Sequence, residues 1–173
     1  MSDGVTHAGG TALLIRRGIP FSEMNKLPAT FFEKTAIRLS TTGILVVGIY
    51  NRPDNTITEK ELRDLFNMGN KVIILGDTKA KHTRWGCNRP NPSKNYRDKH
   101  DIHLHFLENP THYPANNSTP TTIDLLLTKN LHNFPKPMSL AKPNSDHNQV
   151  VVHIGNVQVD DVTKYITSYK NTN

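Results

Sequence analysis

The run Val72-Ile73-Ile74-Leu75 is apolar without interruption, the pattern of a strand buried on both faces, and it stops at Gly76 with Asp77 immediately behind. A carboxylate delivered at the end of a buried strand suggests a site. Lys79, Lys81, His82, Arg84 and Trp85 follow at once, in a loop where contacts to a polyanion can be presented from a rigid scaffold. Residues 71–87 also read as an ordinary turn with a solvated charge run, and local features alone favour neither reading.

The flanking segments fit the same core. Residues 43–50 (GILVVGIY) read as a strong buried strand, and the alternating residues 34–40 (KTAIRLS) as a weaker antiparallel partner joined to it at Thr41-Thr42. Residues 11–15 are a short apolar run ended by Arg16-Arg17-Gly18, expected as a further strand, and residues 19–30, with Pro20 and Pro28, as loop. After Tyr50 the chain cannot extend the strand because Pro53 offers no donor. A helix is expected next. Thr58 is its N-cap with Glu61 three residues on, Ile57 and Leu62 form a staple, Leu62, Leu65 and Phe66 are the buried stripe, and Gly69 is the C-cap. Strand, helix, strand in this order is an α/β signature.

Further along, residues 88–99 and 110–120 read as loops. Ile102, Leu104 and Phe106 alternate with His103 and His105, a half-buried strand whose histidines face outward. Zinc binding by His103, His105 and His112 is disfavoured for want of an acidic or cysteine ligand nearby. Residues 122–128 (TIDLLLT) form a strand interrupted by Asp124. An ionised carboxylate buried there must point outward or find a partner, and Asn144-Ser145-Asp146-His147 offers one. Residues 149–154 are the last clear strand, and residues 156–173 a C-terminal tail, either a short helix or a frayed end.

At 173 residues the chain fits one domain, here residues 1–155 plus the tail. A formal charge of +6 favours nucleic acid or another polyanion as partner. The single cysteine, Cys87, excludes an internal disulfide and points to a reducing compartment. With no secretory leader and no membrane-spanning run, the expectation is a soluble intracellular protein, nuclear or cytoplasmic, not secreted.

Taken singly, a strand-end tyrosine or aspartate is usually structural. The order GGTALLIRRGIPF, GIYNRP, VIILGDTKAKHTRWGC, NPTHYP, TTIDLLLT, NSDHNQVVVHI nevertheless resembles the endonuclease/exonuclease/phosphatase superfamily, and within it the apurinic-type endonuclease domain of jockey-like non-LTR retrotransposons. The resemblance implies a four-layer α/β sandwich of two mixed β-sheets with flanking helices. It implies DNA as partner and Mg2+ or Mn2+ as cofactor, assisting in-line attack of water on a phosphodiester. By the same resemblance Asp77 activates the water, His147 donates to a phosphoryl oxygen while Asp124 orients it, and Tyr50 contacts the phosphate or leaving group. Asp146 lies on the metal side, and Lys79, Lys81, His82, Arg84 and Trp85 flank the DNA.

Two departures stand out. The family motif G-D-x-N has Lys79 in its fourth place; lysine cannot reproduce the amide, and it can salt-bridge Asp77 and quench the base. The chain also starts where the family has its first strands, an early Asn and a metal-binding Glu already behind it. Glu23, Glu33 and Glu59 all follow the first matched strand. The expectation is therefore a truncated copy lacking the first strands, its exposed sheet covered by a parent polyprotein or by self-association. Its function is a metal-dependent endonuclease, impaired in this copy, or alternatively an inactive nucleic-acid-binding remnant.

Overall fold

The structure, a computed structural model, describes residues 10–79, 101–105, 107, 109–116, 118–141 and 145–154. The expectations for residues 88–99, Phe106 and the tail lie outside them. Strands β2 (Glu33–Leu39) and β3 (Leu45–Tyr50) form the expected antiparallel pair. Gly43 makes the turn in the left-handed region at φ +68, its N–H donating to Leu39 O at 2.8 Å. The outer edge of β2 is taken by β1 (Phe21–Glu23), within the expected loop. Residues 11–15 are therefore not a strand. The β2 ladder is already occupied, so they cross the sheet's face, where Thr11 and Thr35 hydroxyls bond at 2.7 Å and Leu13 lies over Gly48.

Helix α1 (Glu59–Phe66) has the expected capping box. Thr58 Oγ1 accepts from Glu61 N at 3.2 Å, and Glu61 Oε2 accepts from Thr58 N at 2.9 Å. Glu61 Oε1 also takes the N–H of Phe31 at 2.8 Å, tying the loop before β2 to the helix. Burial pushes the Glu61 carboxyl up, but the Thr58 hydroxyl, the two backbone N–H groups and the nearby Lys34 outweigh it and hold the group below its ordinary value. The helix is capped by Asn67 rather than Gly69. Gly69 serves close packing instead: a Cβ there would stand 3.2 Å from Val72 Cγ2 and 3.3 Å from Leu45 Cβ.

Strand β4 (Val72–Asp77) is parallel to β3 and antiparallel to β6 (Asp124–Lys129), which pairs in turn with β5 (Ile102–His105). The result is a six-stranded mixed sheet of order β1-β2-β3-β4-β6-β5. Beside it stands a small antiparallel sheet of β7 (Met138–Leu140) and β8 (Gln149–Val151). The α/β fold is as expected, with the second sheet reduced to these two strands among the described residues. Leu45, Val47, Val72, Ile74 and Leu127 pack under Leu62, Leu65 and Phe66 of α1, each buried side chain contributing roughly 1.5–3 kcal/mol. On the opposite face Ile44, Ile73 and Leu126 are covered by Leu131, Phe134, Val152 and Ile154.

His103 faces solvent and pairs with Asp101 at 2.8 Å, but His105 does not face outward. Its Nε2 shares a hydrogen bond with Thr128 Oγ1 at 2.8 Å and its ring lies 4.6 Å from that of Phe134. Burial, with a smaller contribution from His103, pushes its pKa down. Among the described residues no helix is long and apolar enough to cross a membrane.

Candidate active site

Pairing alone brings the strand-end residues into one row. Glu33 is opposite Tyr50, Tyr50 opposite Asp77, and Asp77 opposite Asp124. Register partners share a face, and alternation from Ile74 and Leu127 under the helix puts this row on the other side of the sheet. Glu33, at the outer end, is held by Arg52 at 3.4 Å. Gly76 is what lets β3 and β4 meet so closely beside the row. Its φ is +143, and a Cβ there would fall 1.9 Å from Ile49 O, a contact no other residue type can make.

Three buried polar residues knit the loops beneath the row. The Asn51 backbone N–H donates to Asp77 O at 2.8 Å, and its side-chain Nδ2 donates to Asn55 O at 2.9 Å and Thr78 O at 3.0 Å. Thr78 donates through its hydroxyl to Ile123 O at 2.8 Å, and Thr111 Oγ1 accepts from the N–H groups of Ile123 and Asp124, both at 3.2 Å. All three are at most 2% exposed. Sequence reasoning missed them because polar residues just past a strand resemble ordinary turn residues. For Asn51 and Thr78 the only signal was their position directly after Tyr50 and Asp77, and Thr111, in the loop before β6, had none.

Both oxygens of Asp77 are engaged by Lys79. The ammonium lies 2.9 Å from Oδ2, and the Lys79 backbone N–H donates to Oδ1 at 3.0 Å. Lys79 itself sits at φ +46, in the left-handed region that asparagine tolerates far better than lysine. Asp124 has the partner that burial demanded: His147 Nδ1 donates to its Oδ2 at 3.3 Å. Among the described residues no hydrogen bond engages His147 Nε2.

His112 joins the group from the loop before β6. Its backbone bridges both Thr121 and His147, its ring centroid is 4.8 Å from that of His147, and its Nε2 is 3.7 Å from Asp146 Oδ2. Asp146 is placed by its carbonyl, which accepts from Tyr113 N at 2.7 Å. Tyr50, Asp77, Lys79, Asp124, Asp146 and His147 are thus accounted for around one end of the sheet. Lys81, His82, Arg84 and Trp85 lie outside the described residues.

A family model described as "Endonuclease-reverse transcriptase" matches residues 44–151, more than half of the chain. Among solved structures the chain is similar to the endonuclease domain of TRAS1, a telomere-specific non-LTR retrotransposon. The TM-score is 0.61 at 19% identity, over 86% of this chain and 79% of that one, a likeness of fold. No curated protein matches it.

Proposed function

The chain belongs to the endonuclease-reverse transcriptase family, and from that premise we propose that it is a retrotransposon endonuclease domain hydrolysing DNA phosphodiesters, its turnover restrained by Lys79. The observation that carries this reading is the Tyr50–Asp77–Asp124 row with His147 closing on Asp124. A row of this kind sets a base, a donor and its orienting carboxylate around one scissile bond.

In that reading Asp77 takes a proton from the attacking water, a task that needs a carboxylate lone pair within hydrogen-bond reach. His147, in its doubly protonated form, donates from Nε2 to a phosphoryl oxygen as charge grows there, while its Nδ1–H is held by Asp124. Tyr50 meets the phosphate or the leaving oxygen. Lys81, His82, Arg84 and Trp85 contact the flanking DNA, the cations through phosphate and the indole by stacking.

A hard divalent ion such as Mg2+ takes one or two carboxylates, several waters and the substrate's own phosphate oxygens. Asp146, with its side chain 59% exposed and no lysine or arginine paired to it among the described residues, fits that role. When bound, such an ion would neutralise charge on the attacked phosphate.

The Lys79 ammonium lies 2.9 Å from Asp77 Oδ2, where it competes with a water for the base. That contact also favours a second reading, a nucleic-acid-binding domain without turnover. Nicking of supercoiled plasmid with Mg2+ or Mn2+ separates the two. Slow cleavage is expected, reduced about 10²-fold or more in Asp77→Ala and His147→Ala, the scale of a lost base or oxyanion donor. Salt-sensitive DNA binding with no cleavage would instead establish the binding domain.

A further inference from the structure

His112, Asp146 and His147 offer two imidazole nitrogens and one carboxylate whose ligand atoms all lie within 4.8 Å of one another. We propose that these three side chains form a transition-metal site, of the Zn2+ class, that captures His147 and so blocks the phosphodiester chemistry. The proposal rests on the endonuclease reading for its consequence, and on the geometry alone for the site.

Two features separate this cluster from a chance meeting of polar side chains. First, His147 already carries a carboxylate on its other nitrogen, Asp124 Oδ2 at 3.3 Å from Nδ1. Metal-binding histidines characteristically donate their second N–H to such a group, which fixes the tautomer and raises the basicity of the ligating nitrogen. Second, the backbones are pinned. His112 and His147 are bridge partners, and Tyr113 N–H holds the Asp146 carbonyl at 2.7 Å, so only side-chain rotation is needed to close the site.

The required closure is small. Ligands of a tetrahedral zinc stand about 3.3 Å apart, from metal–ligand distances of about 2.0–2.1 Å. Asp146, 59% exposed, is free to turn inward, while His112, 20% exposed, is held against the ring of His147. Two histidines and one carboxylate leave a fourth position open.

Ion hardness decides what the site does. Mg2+ prefers oxygen and leaves the histidines alone, whereas Zn2+ takes imidazole readily. A His147 Nε2 bound to metal has no proton for a phosphoryl oxygen. Metal capture and phosphate contact at that atom are mutually exclusive.

The test is titration of the full, untagged chain with Co2+, followed by its visible absorption, and with Zn2+ by calorimetry. One ion per chain is expected, with affinity falling roughly 10–100-fold in Asp124→Asn, the usual effect of removing a ligand's supporting carboxylate. His112→Ala and Asp146→Ala should each weaken binding at least tenfold, the exposed Asp146 serving as the variant least able to disturb folding. Equal affinity in both of these variants and the parent overturns the site. In parallel, Zn2+ should suppress Mg2+-supported nicking by the parent but not by His112→Ala. Suppression of both to the same degree overturns the blocking role. If the parent does not nick at all, the endonuclease reading fails while the metal titration still decides the site.

Discussion

At the scale of single residues, Lys79 concentrates the most information. Its side chain and backbone both engage Asp77, and its left-handed conformation costs on the order of 1 kcal/mol for a residue with a long side chain. Lys79→Asn relieves that strain but removes an ion pair, worth about as much for groups that keep some solvent contact. Urea midpoints should therefore stay within about 1 kcal/mol of the parent. Nicking should rise about 10²-fold as Asp77 Oδ2 is released and an amide faces the phosphate; unchanged nicking would mean that Lys79 is not what limits the site. The contact itself was legible two residues away in the sequence, where a lysine follows a strand-end aspartate. Its backbone conformation was not, because nothing in the residue type signals a positive φ. Asn51, Thr78 and Thr111 were illegible for a related reason: their importance comes from being buried, and burial is a property of the assembled loops.

Among the elements, α1 was legible almost to the residue because everything that specifies it is local. The cap, the reciprocal glutamate and the apolar stripe lie within one short segment. Its C-terminal end was misread because Gly69 suits a cap, whereas its real constraint is contact with Val72 and Leu45 from other elements. Strand β1 and the run before it were exchanged for the same reason, since which segment wins the edge of β2 depends on competition across space. Strand β7 has only three residues and no alternation to find. The reach of Glu61 beyond its own helix gives a test. Glu61→Ala removes the capping box and leaves the Phe31 N–H without its partner. The expected loss is about 2 kcal/mol, a cap plus a lost hydrogen bond, read from urea denaturation. A loss below about 0.5 kcal/mol would place the helix start outside the cooperative core.

For the molecule as a whole, the sheet's second face makes stability depend on pH through His105. Burial and His103 hold its pKa below the ordinary 6.5, so the unfolded chain takes up this proton at a higher pH than the native one. The contribution is complete above about pH 6.5 and is lost as pH falls toward the lowered native value. Glu61, also lowered, loses its contribution only at still lower pH, as the medium passes below the ordinary 4.5. The urea midpoint should thus drop between pH 7.5 and 5.5, and His105→Gln, which can still bond Thr128, should flatten that drop. A slope unchanged in the variant would assign the dependence to other histidines. The fold class and the chain order of the motifs were visible in the sequence, but the site as one row was not, because it exists only through pairing between residues tens of positions apart. That row is in effect a phase condition. Tyr50, Asp77 and Asp124 share a face only while each strand keeps its residue parity, since one residue more or fewer inside β3, β4 or β6 turns everything beyond it to the opposite side. The row can therefore keep its geometry through changes of residue type in these strands, yet it is intolerant of any change of their length.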